Sequence, residues 1–304
     1  MVIVESIRRR TGGAPTLKKI LAALLSLAAL AVTLLVAPGG ASAYTSSTDV
    51  VFVHGYGPCQ DSWTEGAGPL QTQYYFRHQP LSELHAIDYY ACDTDGTDIS
   101  SYAAPAGTAV PAIDAQAPDG GGDNTPIEHY SYELAWYLWD NFASQGKPVD
   151  LVGHSMGGLV IAYALQQVAA HNPAFPSSLR VPTVVTFSTP YRGVNLGCTT
   201  TVECQEMLPG SAFVTALDRT GAVQPGTGYT FWVIMGSSAG CDVVPASSTT
   251  VFGHVAEAID YGSPCYTHVG YLWDDSAALD ATGTINGKPF TGAHSLAVMG
   301  WALL

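Results

Sequence analysis

Four short runs, at residues 50–53, 149–152, 184–187 and 231–235, are dominated by apolar and β-branched side chains. Segments of this length that stay largely apolar instead of alternating fit strands buried on both faces of a sheet. Between them the period changes. Over 127–142, Tyr130, Leu134, Tyr137 and Leu138 recur at helical spacing, and 159–170 is a second apolar stretch without proline or glycine. This alternation predicts an α/β fold, a mostly parallel central sheet with helices on both faces. Residues 103–126 are rich in Ala, Pro, Gly and Asp and read as a long surface loop. No internal repeat is visible, and 44–304 is expected to form one domain.

The N-terminus follows a different rule. Arg8, Arg9, Arg10, Lys18 and Lys19 precede an apolar run over 20–36, and Ala41, Ser42 and Ala43 supply the small residues of a cleavage site. Residues 1–43 therefore read as a secretory signal, and the expected location is extracellular. An uncleaved anchor is the competing reading, because a 17-residue apolar run approaches the shortest membrane span. The Pro38, Gly39, Gly40 break argues for cleavage and against a stable anchor afterwards.

Charge narrows the partners. With 47% hydrophobic and 12% charged residues the chain can pack a core, and 11 Lys+Arg against 25 Asp+Glu give a net charge of −14. Five of the 11 basic residues and one of the 25 acidic ones lie within 1–43, which leaves −18 on the rest. Such a balance excludes a nucleic-acid partner and disfavours anionic membrane surfaces. In a secreted chain the six cysteines imply disulfides. Adjacency in sequence suggests Cys59 with Cys92, Cys198 with Cys204, and Cys241 with Cys265. No C-x-x-C occurs, so neither a metal nor a cofactor is expected. The acidic run containing Asp93, Asp95 and Asp98 lacks the distal glutamate of a calcium loop and fits Asx turns better.

The candidate chemistry is nucleophilic. The pattern G-x-S-x-G, which presents a serine on a sharp turn, occurs at 153–157 and again at 236–240. Ser155 lies between a predicted strand and a clean apolar helix, the context the turn requires. Ser238 also follows a strand, but Pro245 would break a helix starting there, so Ser238 reads as a loop residue.

At these residues a resemblance appears. The segment VDLVGHSMGG (149–158) resembles the nucleophile elbow of secreted bacterial lipases in the α/β-hydrolase superfamily. VFVHGYG (51–57) is similar to the strand and turn that build half of the oxyanion hole, STPYRG (188–193) to the segment after the next strand, and YTHVGYL (266–272) to the loop bearing the base. The resemblance covers nearly all of 44–304 and is weakest over 93–126. It implies an α/β-hydrolase fold, a Ser-Asp-His chain order, and oxyanion donors from the backbone N–H groups of Tyr56 and Met156.

Asp242 follows Ser155 by 87 residues and lies just beyond the strand at 231–235, at the edge where α/β sheets collect functional groups. Asp260 is the alternative acid. Among the downstream histidines, His254 is only 12 residues from Asp242 and His294 begins an apolar helix, whereas His268 is 26 residues on, inside the resembling loop. A bridge between Cys241 and Cys265 would tie the acid loop to the base loop. His54 and His154 are expected to support turns by hydrogen bonding. The expected function is a secreted carboxylic-ester hydrolase, a lipase or esterase, acting as a monomer on a neutral ester or lipid. A non-catalytic binding scaffold, or an acyltransferase or phospholipase with the same triad, is the alternative.

Overall fold

A computed structural model of the chain describes residues 48–57, 63, 80–90, 92–94, 96–108, 124–197, 200–219, 230–253, 255–273 and 279–303. The expected signal segment and most of the loop at 103–126 lie outside these residues. Among the described residues, no helix is long and apolar enough to cross a membrane.

The first apolar run is β1 (Asp49–Val53) and the next strand is β2 (Leu84–Asp88), followed by the two-residue β3 (Thr97–Asp98). Helix α1 (Ile127–Asn141), β4 (Val149–His154), α2 (Met156–Ala169) and β5 (Thr183–Phe187) come next. Two short helices, α3 (Val202–Glu206) and α4 (Ala212–Arg219), precede β6 (Phe231–Ser237) and the one-turn α5 (Ala246–Thr249). The chain then forms β7 (Glu257–Ser263), α6 (Gly270–Trp273), the hairpin β8 (Ala281–Ile285) and β9 (Lys288–Gly292), and α7 (Ser295–Ala302). The described strands make one nine-stranded sheet in the order β3-β2-β1-β4-β5-β6-β7-β8-β9. Pairing is parallel from β3 through β7 and antiparallel only for β7 with β8 and β8 with β9.

Alternate strand residues serve opposite faces, as the period of a strand demands. Val51, Val53, Leu151, Val184 and Ile234 pack with α1 and α2 on one side. Val50, Phe52, Val152, Val185, Val233 and Met235 pack with α7 on the other. Coverage of both faces explains why these strands read as apolar runs. The hairpin at the edge differs, with partly exposed strands joined through Asn286 and Gly287, both at positive φ. Lys288 and Pro289 on β9 protect this outer edge from further pairing.

Strand order reverses between β1 and β4, since the chain moves outward from β1 to β2 and β3 and then returns to the opposite side of β1. At such a switch point the loops leaving the two strands diverge and open a crevice above their C-terminal ends. The turn after β1 and the turn after β4 both lie there.

Pro245 corrects one local expectation. It caps the start of α5 instead of blocking it, because at the N-cap, directly before Ala246, a missing N–H takes no helical hydrogen bond away. Ser238 still lies in a bend, between β6 and that helix.

Candidate active site

The turn from β4 into α2 is set by glycines. A Cβ on Gly153 would come within 2.9 Å of the Gly158 backbone, so strand and helix approach more closely than other residues permit. Ser155 sits at the apex with φ 53° and ψ −126°, a costly conformation for a residue with a side chain, and its N–H is fixed to the Phe187 carbonyl at 2.9 Å. Strain of this kind aims the hydroxyl out of the sheet instead of along it.

Ser155 Oγ lies 2.9 Å from His268 Nε2, and His268 Nδ1 lies 3.0 Å from Asp242 Oδ1. The structure thus brings together three residues from the loops after β4, β6 and β7, separated by up to 113 positions. The imidazole is 26% exposed while the Asp242 side chain is 0% exposed, which leaves the ring reachable and its partner dry. Burial alone would raise the Asp242 carboxyl. Hydrogen bonds from His268, Ser188 and the Val244 N–H outweigh it and hold the carboxyl below its ordinary value. Its four acceptor positions are filled: Oδ1 takes His268 Nδ1–H and Val244 N–H (3.0 Å each), and Oδ2 takes Ser188 O–H (2.6 Å) and Tyr271 O–H (3.1 Å).

The disulfide Cys241–Cys265, with Cα atoms 5.6 Å apart, ties the residue before Asp242 to the start of the His268 loop. Cys92 and Cys204 are also disulfide-bonded, whereas Cys59 and Cys198 lie outside the described residues. Asp260 accepts the Ser238 N–H at 2.7 Å and His294 pairs with Asp280 at 2.7 Å, so neither joins the Ser155 line. His254 lies outside the described residues.

His154 acts on a different segment from the one expected. It donates from Nε2 to the carbonyl of His268 at 2.8 Å, which anchors the His268 loop rather than its own turn. Burial, then the neighbouring His268, push its pKa down to about 3, so it stays neutral beneath the His268 ring. His54 does support its own turn, with Nδ1 2.9 Å from the Gly55 carbonyl and Nε2 3.0 Å from Asp93 Oδ2. Tyr89 stacks on the His54 ring at 3.9 Å and donates to the carbonyls of His54 and Gly55. Tyr90 accepts the Gly57 N–H at 3.5 Å. The acidic run is used locally: Asp93 also accepts the Tyr90 N–H, and Asp98 closes an Asx turn onto the Ser100 N–H at 2.9 Å. Among the described residues no cluster of His, Cys, Asp and Glu could hold a metal ion.

This turn presses against Ser155. A Cβ on Gly55 would stand 2.9 Å from Ser155 Cβ, which places Tyr56 beside the elbow. Met156 is the first residue of α2, and its N–H has no carbonyl within the helix to bond. Tyr56 is tied on its outer side to α3, through a 3.0 Å hydrogen bond between its hydroxyl and Thr201.

Glu206, the last residue of α3, lies beside Glu128 of α1. Glu206 accepts the Ile127 N–H at 2.7 Å, and burial, then the adjacent Glu128, push its carboxyl up to about 9. A folded-state value above the unfolded one means that stability from this group is full below about 4.5 and falls as pH climbs toward about 9. Glu206→Gln keeps the acceptor and removes the ionisation. Its unfolding midpoint should match the parent's at pH 4 and exceed it by a few degrees, roughly, at pH 8, as read by circular dichroism. An equal shift at both pH values would remove the pair from the account.

A model of the alpha/beta hydrolase family matches residues 50–278, and the chain belongs to that family. Its fold, with a mostly parallel sheet and a strand-turn-helix serine, agrees with that membership. Among solved structures it is similar to a phospholipase PlaB from Legionella pneumophila (13% identity, 67% of this chain and 44% of that one, TM-score 0.45). It is also similar to lipase B of Aspergillus fumigatus (14% identity, 84% and 57%, TM-score 0.45) and to the mature Bacillus licheniformis lipase BlEst2 (16% identity, 64% and 68%, TM-score 0.40). The chain thus spans less than half of the Legionella protein. No curated protein matches the sequence.

Proposed function

We propose that the chain is a secreted carboxylic-ester hydrolase, a lipase or esterase, working through Ser155, His268 and Asp242. The observation that carries this reading is the continuous hydrogen-bonded line from Ser155 Oγ through both nitrogens of His268 to Asp242. His268 takes the Ser155 proton as Oγ bonds to the ester carbonyl carbon. The carbonyl oxygen becomes an oxyanion facing the N–H groups of Tyr56 and Met156. Collapse breaks the bond to the alcohol, which leaves with the proton from His268. Water then repeats the sequence on the acyl-enzyme and frees the acid. Asp242, held ionised, keeps the proton on Nδ1 and balances the imidazolium.

Two features favour a neutral, apolar acyl substrate. Val243 and Val269, which directly follow Asp242 and His268, are 60% and 48% exposed. The charge of −18 outside the proposed signal would repel anionic interfaces, a penalty salt screens beyond roughly 8–10 Å. Initial rates on p-nitrophenyl esters of increasing chain length test the hydrolase reading. A peak at long chains identifies a lipase, a profile confined to short chains an esterase, and no turnover a binding scaffold. Neutral emulsions should turn over faster than the same acyl chains on anionic phospholipid vesicles, and added salt should narrow the gap. Faster turnover on the anionic vesicles at low salt would point to a phospholipase instead.

A further inference from the structure

His268 Nδ1 has a second neighbour that the reaction above does not use. Ser188, the residue after β5, is completely buried, and its Oγ lies 2.6 Å from Asp242 Oδ2 and 2.9 Å from His268 Nδ1. Asp242 Oδ1 is 3.0 Å from the same nitrogen. The proton count assigns each group its part. A serine hydroxyl has one hydrogen and two lone pairs, and an ionised carboxylate can only accept, so the Ser188 hydrogen goes to Asp242. The Ser188 oxygen is then left as an acceptor. The tautomer that frees Nε2 to take the Ser155 proton carries its hydrogen on Nδ1, and that hydrogen has two oxygens within reach. A hydroxyl that donates to a carboxylate is polarised into a better acceptor.

The hydroxyl is placed by backbone, not by chance rotation. Ser188 has φ 48°, and its N–H is bonded to the Met235 carbonyl at 2.9 Å, which extends the β5–β6 ladder by one residue. A non-glycine residue held at positive φ where β5 leaves the sheet indicates a conformation imposed by the surroundings.

We propose that Ser188 is a positioning residue of this site, a second acceptor for the His268 Nδ1–H that fixes the tautomer and ring angle together with Asp242. The inference rests on the hydrolase reading. Ser188→Ala and Ser188→Gly both remove the hydroxyl, but only glycine relieves the positive φ, so a backbone effect would separate the two. Both should lower kcat about ten- to a hundred-fold with KM changed less than about two-fold, and both should move the proton resonance of the Nδ1–H. In an Asp242→Ala background Ser188 becomes the remaining acceptor beside Nδ1, and its loss should cost about ten-fold or more again.

Unchanged kcat in both single variants would overturn the proposal. So would an Asp242→Ala background in which removing Ser188 costs nothing, because the hydroxyl would then only have braced the carboxylate. If the double variant does not fold, the single variants and the resonance decide. Ser155→Ala separates the two claims: an active Ser155→Ala defeats the assignment of Ser155 as the nucleophile on which this inference rests, whereas a dead one beside fully active Ser188 variants defeats this inference alone.

Discussion

Ser155→Ala is expected to abolish hydrolysis of p-nitrophenyl esters, a loss on the order of 10⁴-fold or more, while Ser238→Ala leaves most of the activity. Both serines satisfy G-x-S-x-G, so the motif alone assigns them equal roles. Their surroundings do not. Ser155 is held at φ 53° with its hydroxyl 2.9 Å from His268 Nε2. Ser238 is exposed in a bend, its N–H bonded to the Tyr261 carbonyl and Asp260, and no imidazole among the described residues is hydrogen-bonded to its hydroxyl. A serine at its free pKa is a weak nucleophile, and without a base the second motif has nothing to activate it. His268→Ala should fall to about the Ser155→Ala level, and the pair should be strongly non-additive because the two act as one unit. Comparable losses in Ser155→Ala and Ser238→Ala would mean that the elbow has been misread.

How much of this was legible in the sequence depends on whether a feature is local. The Ser155 elbow is local: strand, glycines and helix are contiguous, so pattern and motif coincide. Asp242 and His268 are not, yet chain order, the place of Asp242 after a predicted strand, and the spacing and resembling loop of His268 single them out. The partners of Asp242 are of another kind. Ser188 and Tyr271 meet it only because β5 ends beside β6 and the start of α6 reaches the same carboxylate, and nothing in the spacing along the chain encodes that adjacency. The support of the β1 turn by Tyr89 and Tyr90 was hidden for a related reason. Both follow β2, a five-residue strand (LHAID) with a histidine and an aspartate that breaks the apolar run used to recognise the others. The hairpin strands β8 and β9 were illegible because partly exposed antiparallel strands at the end of a sheet carry no continuous buried stripe, and β7 because only Ile259 and Tyr261 of its seven residues are buried. Helix α1 shows the converse. Its apolar spacing predicted one buried face, but His129, Ser131 and Glu133 are buried as well, with His129 and Glu133 paired at 3.0 Å, because α1 packs into the core nearly all round.

Gly157→Ala should destabilise the protein by roughly 3 kcal/mol or more and impair the site in whatever remains folded. Helix propensity argues the opposite, since Gly157 is the second residue of α2 and alanine in a helix interior gains about 1 kcal/mol over glycine. The competing effect is steric. A Cβ at 157 would fall on the carbonyl oxygens of Val53 and His54, with the Val53 carbonyl carbon 2.7 Å away. These are backbone atoms of β1 and its turn, locked by parallel pairing to β2 and β4, and they cannot yield as the end of a side chain would. Relief requires α2 to lift from the sheet or the turn at Gly55 and Tyr56 to shift, and either movement separates Tyr56 from Met156, the two proposed oxyanion donors. The unfolding midpoint should therefore drop by roughly 6 °C or more, at 2–4 °C per kcal/mol for a domain of this size. The loss of kcat should exceed what the unfolded fraction explains. Gly262→Ala is the matched control, because its nearest neighbour would be the Thr282 carbonyl at 3.6 Å, an ordinary contact. A Gly157→Ala protein as stable as the parent would show that helix and turn are less tightly wedged than these distances require, and the oxyanion assignment to Tyr56 would lose its geometric basis.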